Sequence, residues 1–226
     1  YNRIKLCKFD INYFTYSSIV NYGVEWSNGE YIVMLNNDIE FITEDWIEQL
    51  LMYAQRPDVG ICGAKLYFPD RSIQHAGVTL GTRGLAGHRC REVQEKDFKK
   101  DDYINIVQDL SAVTAACFMV RKQLYIDMLG FDEKLAVAFN DVDFCMKIRT
   151  AKYLIVYNPF VEAYHYESKS RGEDTENTEK QKRFAKEYEL FVKRWSKVIA
   201  KGDPYYNKNY RLDTDLPKIN YNKISY

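Results

Sequence analysis

Unbroken apolar runs that stop at polar residues are the feature that most constrains the fold of this chain. Residues 31–35 form such a run, and Asn36, Asn37 and Asp38 follow at once. A short continuous apolar run is typical of a strand that is buried on both faces of a sheet. Strands of that kind lie under helices, so the run favours an α/β domain.

Strand and helix patterns alternate along most of the chain. Helices are expected at 17–27 with Ser17 or Ser18 as the cap, after a Thr43 cap, and at 123–129, 140–151 and 184–199. Strands are expected at 31–35, 59–68, 73–80, 117–120 and 153–157, the last one stopped by Asn158-Pro159, with 162–166 extended. This order predicts a mostly parallel central sheet with flanking helices, a C-terminal helix and an irregular tail. We divide the chain into a domain at 1–202 and a tail at 203–226.

Composition limits the classes of function. The 226 residues suffice for one domain, and a formal net charge of +0 gives no electrostatic reason to expect a nucleic-acid partner. Five scattered cysteines without a CxxC pair indicate a reducing compartment. The longest apolar run, 112–120, is too short to span a bilayer. We therefore expect a cytoplasmic location, at the inner face of the membrane in the parent protein.

The first candidate site is the polar segment after the 31–35 run. A loop at the carboxyl end of a strand can offer oxygen ligands to Mg²⁺ or Mn²⁺, which bind one or two protein carboxylates together with substrate phosphates. Asp38 and Glu40 alternate along the chain, so only one of them faces such a site. Taken alone, the segment is better explained as a turn, because Asn and Asp favour turns.

The second candidate site is the start of the 140–151 helix. Asn140 suits an N-cap, and Asp143 then lies in the first turn, where a carboxylate complements the helix dipole. Asp141 lacks such an explanation, since it shares a helix face with Phe144 and Ile148 at the edge of the apolar stripe. We interpret Asp141 as a candidate general base.

The third candidate site lies near residue 165. His165 and Arg171 flank a polar segment and could supply a metal ligand and a phosphate clamp. As an isolated pair they would more often be surface residues. His75 and His88 have no acidic neighbour in sequence and are interpreted as structural.

The three candidate sites belong to a series of seven sequence segments. In chain order these are GEYIVMLNNDIE (29–40), PDVGICGAKLYFPD (57–70), IQHAGVTLG (73–81), VTAACFMVRK (113–122), GFDEKLAVAFNDVDFC (130–145), NPF (158–160) and HYESKSRG (165–172). The order resembles a family 2 glycosyltransferase of the GT-A fold, from about residue 12 to residue 209. Each motif is weak by itself, and their order carries the resemblance. The closest likeness is to the bacterial subgroup that builds surface polysaccharides such as rhamnose-rich chains and O-antigens.

The resemblance implies an inverting transfer of a sugar from a nucleotide-diphosphate sugar to a hydroxyl of a glycan or lipid-linked acceptor. It implies Asp141 as the catalytic base, Asn36, Asp143 and Arg171 as substrate-binding residues, and Asp38 and His165 as ligands of Mg²⁺ or Mn²⁺. Asn36 stands where the family has the first Asp of its DxD-type motif.

The resemblance fails at the amino end, where the family has a strand and a proline-containing turn that hold the nucleotide base. The chain also has no initiator Met and begins with an alternating pattern. We therefore expect a fragment whose first strands lie before Tyr1, with weak or no nucleotide binding of its own. An exposed sheet edge would then favour self-association.

Two rival functions stay open at this point. Nineteen tyrosines, three tryptophans and a Tyr-rich tail are compatible with a non-catalytic carbohydrate-binding or assembly module. Metal-dependent hydrolysis of phosphate esters is disfavoured, because it needs a second clustered metal site.

Overall fold

The structure is a computed structural model that describes residues 6–10, 14–99, 102–166 and 178–223. Its helices are α1 (Tyr16–Trp26), α2 (Trp46–Ala54), α3 (Lys122–Asp127), α4 (Asn140–Thr150) and α5 (Thr178–Ile199). Its strands are β1 (Tyr31–Leu35), β2 (Ile39–Phe41), β3 (Val59–Tyr67), β4 (Ile73–His75), β5 (Val78–Leu80), β6 (Ala86–His88), β7 (Gln108–Asp109), β8 (Cys117–Arg121) and β9 (Leu154–His165).

The central sheet has the order β1-β8-β3-β9-β2, with β4 added to β3 and β7 added to β9, while β5 and β6 form a separate hairpin. The predicted α/β class with flanking helices is confirmed. The sheet is mixed rather than mostly parallel, because β3–β9 is the one parallel pair among the described strands. Strands β1, β3 and β9 share a direction, and β8 runs against them between β1 and β3. Burial makes each strand apolar whatever its direction, so the pattern could not reveal this.

The core lies on both faces of the sheet. On one face, Leu50 and Ala54 of α2 are buried against the strands. On the other face, Phe144 of α4 and Phe191 of α5 have no exposed surface. Every residue of β3 is buried, which agrees with the strand predicted at 59–68. Among the described residues, no helix is both long and apolar enough to cross a membrane.

Helix α1 begins with a reciprocal cap that differs from the predicted one. The Thr15 side chain accepts from the Ser18 amide at 2.9 Å, and Ser18 Oγ accepts from the Thr15 amide at 2.9 Å. Thr15 is therefore the N-cap and Ser18 its partner in a capping box. Ser17 is buried and donates to the Leu135 carbonyl at 2.5 Å, which ties α1 to the loop before α4.

Thr43 does not cap α2, which begins at Trp46 after Asp45. Its hydroxyl donates to the Phe160 carbonyl at 2.8 Å and accepts from the Glu162 amide at 3.0 Å. A tertiary contact with β9 thus replaces the expected local cap.

Strand β9 does not end at Asn158-Pro159 as predicted. The register with β3 shifts so that Ala64 faces Asn158 and Lys65 faces Glu162. Pro159 therefore lies in a bulge, where its missing N–H leaves no ladder bond unmade. The strand continues beyond the bulge and carries His165 to its end.

The segment after α5 lies against the β5–β6 hairpin. The Asp203 carboxylate accepts from the Leu80 amide at 2.7 Å, and Asp215 pairs with Arg83 at 2.6 Å. These contacts attach the segment to the rest of the fold, and the division of the chain at residue 202 stays a prediction.

Candidate active site

A pocket of about 680 Å³ opens where β1 and β9 end, beside the start of α4 and the loop before β8. Its lining includes four residues named from the sequence: Asn36, Asp38, Asp141 and His165. The structure therefore brings together side chains that lie far apart in the chain. Asp143 does not line this pocket, and Arg171 lies outside the described residues.

Two ladders bring Asn36, Asp38 and His165 together. The Asn36 amide donates to the Ala116 carbonyl at 3.0 Å, which continues the pairing of β1 with β8. Ile39 pairs with His165 across β2 and β9, so Asp38 lies beside the imidazole. His165 Nε2 is 3.2 Å from Asp38 Oδ1 and 3.1 Å from Asn36 Nδ2.

The environment of Asp38 fits a cation site. Asp38 Oδ1 is buried and has no hydrogen-bond donor among the described residues. Two neighbouring ligands of an octahedral cation with bonds of 2.0–2.1 Å lie about 3 Å apart. The separation of 3.2 Å between Asp38 Oδ1 and His165 Nε2 is close to that spacing.

The described residues contain no group of three or more His, Cys, Asp and Glu side chains that could hold a metal ion. Asp38 and His165 could thus supply only part of a coordination shell. Substrate phosphates and water would have to supply the rest, which is usual for Mg²⁺-type sites.

Asp141 is held separately, at the first turn of α4. Its Oδ2 accepts from the Ala115 amide at 3.2 Å, and its Oδ1 accepts from the Val142 amide at 2.8 Å. Among the described residues no cation pairs with it. The carboxylate is thus oriented by backbone amides at the edge of the pocket, as a general base requires.

Asp143 lies on the opposite side of α4, which corrects the expectation that it binds substrate. Its side chain is fully buried, and Oδ1 accepts from Arg194 at 2.6 Å and from Trp195 Nε1 at 2.8 Å. Successive helical residues are rotated by about 100°, so a carboxylate two positions from Asp141 points away from the pocket. Asp143 joins α4 to α5.

Asn140 is not the N-cap of α4, because the helix begins at Asn140 and Phe139 precedes it in a left-handed conformation with φ of 63°. The buried Nδ2 group of the Asn140 side chain donates to Ser17 Oγ at 3.2 Å and to the Val137 carbonyl at 3.1 Å. Asn140 therefore holds the loop before α4 against α1.

Tyr16 is a pocket residue that the sequence did not reveal. Its hydroxyl lies 3.2 Å from both Asn36 Oδ1 and the Ala115 carbonyl. Burial raises the pKa of Tyr16 well above its ordinary value, and the negative charge of Asp141 raises it further. Tyr16 thus stays a hydrogen-bond donor. A tyrosine next to a helix cap carries no signal for this role.

Arg183 of α5 also lines the pocket and was not predicted. It lies 3.6 Å from the buried Glu187, whose carboxylate accepts from the amides of Val137 at 3.2 Å and Ala138 at 2.8 Å. One turn of α5 therefore places a cation at the pocket and holds the loop that forms its wall. Charged residues on an otherwise apolar helix face were the available signal.

The fold defines the class of the domain, which is the GT-A fold. The structure superimposes on a crystal structure of GalNAc-T7 with UDP, GalNAc and Mn²⁺ with a TM-score of 0.60 and 11% sequence identity. The match covers 82% of this chain and 36% of that chain, and at this identity it shows the fold alone.

The chain belongs to glycosyl transferase family 2, whose model matches residues 1–129. It is 42% identical to protein y4gI of Sinorhizobium fredii over 90% of the chain and 32% identical to the O-antigen biosynthesis protein RfbC of Myxococcus xanthus over 88%. The chain spans 22% and 15% of the lengths of these two relatives. An N-acetylglucosaminyl-diphospho-decaprenol L-rhamnosyltransferase of Mycobacterium tuberculosis is 23% identical over 67% of the chain and 52% of the relative. The predicted family is therefore confirmed.

Proposed function

We propose that this protein transfers a sugar, with inversion, from a nucleotide-diphosphate sugar to a hydroxyl of a glycan or lipid-linked acceptor in bacterial surface-polysaccharide synthesis. The observation that carries the proposal is the pocket in which Asp38 and His165 face each other while Asp141 is held apart. The names of the relatives from Myxococcus xanthus and Mycobacterium tuberculosis support a polysaccharide or lipid-linked acceptor.

Five polar side chains that line the pocket take part in this reaction: Asn36, Asp38, Asp141, His165 and Arg183. A divalent cation held by Asp38 and His165 would offset the negative charge of the leaving diphosphate. Asn36 hydrogen-bonds the donor, and Arg183 adds positive charge beside the diphosphate. We also propose that Arg171 binds the diphosphate, as the sequence resemblance predicts.

Asp141 performs the proton transfer. It takes the proton of the acceptor hydroxyl as that oxygen forms a bond to the anomeric carbon. The bond from the anomeric carbon to the diphosphate oxygen breaks on the opposite face, and the nucleoside diphosphate leaves with the electron pair. The anomeric configuration is therefore inverted, and the proton remains on the carboxylate.

The test is a transfer assay with the full-length protein, Mn²⁺ or Mg²⁺, and a set of uridine- and thymidine-diphosphate sugars that includes thymidine-diphosphate rhamnose. Lipid-linked N-acetylglucosamine diphosphate serves as the acceptor. We expect one donor to give a product of inverted configuration by NMR, and chelation of the metal to stop the reaction. A retained configuration, or no transfer from any donor, would contradict the proposal. A glycan affinity that changes neither on removal of the metal nor in the Asp38→Ala variant would favour the carbohydrate-binding module instead.

Three further predictions accompany this proposal. The chain by itself binds uridine or thymidine diphosphate with Mn²⁺ weakly, and a micromolar dissociation constant by calorimetry would contradict this.

The chain self-associates, which a strictly monomeric profile by light scattering at high concentration would refute. Its cytoplasmic position at the inner membrane face is tested by fractionation of cells.

A further inference from the structure

Gln74 makes two contacts with the same residue, His165. Gln74 Nε2 donates to the His165 carbonyl at 3.1 Å, and Gln74 Oε1 lies 2.6 Å from His165 Nδ1. The two residues are 2% and 7% exposed, so water does not replace these contacts. A carbonyl oxygen only accepts, which fixes the orientation of the Gln74 amide and turns Oε1 toward the ring. Because Oε1 also only accepts, the hydrogen of that contact belongs to Nδ1.

A β-bulge places Gln74 in this position. Leu66 pairs with His75 and Tyr67 pairs with Ile73, so Gln74 is the extra residue of a bulge in β4. A bulge of this kind redirects a side chain and is common beside functional sites. The bulge in β4 thus turns the buried side-chain amide of Gln74 toward His165 at the end of β9.

The other ring nitrogen faces the pocket. An Asn36 Nδ2 group can only donate, so Nε2 of His165, 3.1 Å away, is the acceptor in that contact. The Asn36 oxygen is then turned toward the Tyr16 hydroxyl, 3.2 Å away, as an acceptor requires. Nε2 also lies 3.2 Å from Asp38 Oδ1, which is buried without a hydrogen-bond donor among the described residues. Two electron-rich atoms 3.2 Å apart favour a cation beside them.

We infer that Gln74 is a positioning residue: it holds His165 in the tautomer with hydrogen on Nδ1, so that Nε2, which lies beside Asp38, carries no hydrogen. A histidine that binds a metal typically donates its second N–H to an oxygen in the same way. The tautomer is a property of the metal-free chain, whereas its importance for cation binding rests on the proposed function.

The first test is the ¹⁵N spectrum of the imidazole rings in the metal-free protein. The chain has three histidines, and the spectrum of His165→Asn identifies the signals of His165. We expect a protonated Nδ1 and an unprotonated Nε2. If His165 of the wild-type protein carries its hydrogen on Nε2, the inference is overturned, and no Gln74 variant is needed to show it.

The second test compares three substitutions. Gln74→Met removes both polar contacts, and we expect the hydrogen of His165 to redistribute between the two nitrogens. Gln74→Glu keeps an acceptor for Nδ1 and should restore the wild-type tautomer. Gln108→Met is the matched control, because Gln108 also makes partly buried contacts, to Arg89 and the Tyr103 carbonyl, away from the pocket. It should leave the His165 signals unchanged.

Binding of Mn²⁺ separates this inference from the proposed function. It is measured by the electron paramagnetic resonance signal of the free ion. We expect Gln74→Met to weaken binding about 10–100-fold, as loss of an outer-shell partner does, and Gln74→Glu to recover most of it. Wild-type affinity in a Gln74→Met protein of unchanged tautomer would overturn the positioning role. If the wild-type protein has the expected tautomer but binds no Mn²⁺, the inference about Gln74 is supported and the proposed metal site fails.

Discussion

Asp141 and Asp143 lie two positions apart in α4 and have opposite environments. Asp141 is oriented by the amides of Ala115 and Val142 at the edge of the pocket. Asp143 is fully buried and bound by Arg194 and Trp195. A carboxylate held only by backbone amides keeps its capacity to accept a proton from a substrate. Asp143, which a guanidinium and an indole enclose, does not reach the pocket and instead joins two helices.

The comparison is sharpest for Asp141→Asn. An amide cannot accept the acceptor proton, so we expect the transfer rate to fall about 10²–10⁴-fold, the usual contribution of a general base. The free energy of unfolding should change little, because the amide oxygen can still accept one backbone hydrogen bond. Steady-state transfer and urea unfolding measure the two effects. Transfer at a near wild-type rate would exclude Asp141 as the base.

The next largest effect is expected for Asp38→Asn. The substitution removes the charged oxygen that faces His165, so Mn²⁺ affinity should fall by at least the ~10–100-fold that loss of an outer-shell partner costs. Titration of the protein with Mn²⁺, followed by the resonance of the free ion, gives the affinity. Glu40→Gln is the control, since Glu40 is a neighbouring acid that contacts Tyr166 rather than His165. Equal losses in both variants would argue against a site at Asp38.

Asp143→Asn should do the reverse of Asp141→Asn. It weakens buried hydrogen bonds to Arg194 and Trp195, and such bonds to charged groups contribute about 1.5–3 kcal/mol each at most. We expect a loss of free energy of unfolding in that range by urea denaturation, with Mn²⁺ affinity retained. A stable Asp143→Asn protein that has lost cation binding would break the comparison.

The smallest effect concerns Asp132, which shares Arg194 with Asp143. Partial burial tends to raise the pKa of Asp132, but hydrogen bonds from the Arg194 guanidinium and the Lys134 amide outweigh it, so the pKa lies below its ordinary value of 3.8. A lowered carboxyl pKa stabilises the fold above the unfolded pKa, and this contribution disappears as pH falls through the folded pKa.

Asp132→Asn should therefore cost about 0.2–1 kcal/mol at pH 7, as partly exposed ion pairs do. The difference from wild type should shrink at pH 3, where Asp132 is increasingly protonated in the wild-type protein. Urea unfolding at both pH values provides the measurement, and a difference that grows toward pH 3 would refute the assignment.

Local patterns predicted most of the elements, but the expected stop of β9 at Asn158-Pro159 is a bulge within a longer strand. The β1 run, the apolar stripe of α4 and the resemblance led to Asp38, Asp141 and His165, and the structure places all three at one pocket. Strand direction was not predictable, because burial alone decides the apolar pattern of each strand. The roles of Asp143 and Gln74 depend on α5 and on a bulge in β4. These are long-range contacts that one segment of sequence does not encode.

Strand β9 also determines when the pocket can form. Its parallel pairing with β3 joins Val59 to Leu154 and Tyr67 to Tyr164, so a long loop must close before these contacts form. Contacts between distant parts of a chain slow folding, because the entropy of loop closure is lost first. During synthesis, a nascent chain that has not yet released β9 from the ribosome contains Asp38 and Asp141 but lacks His165 beside them. Cation binding at this pocket would therefore report completed folding of the sheet.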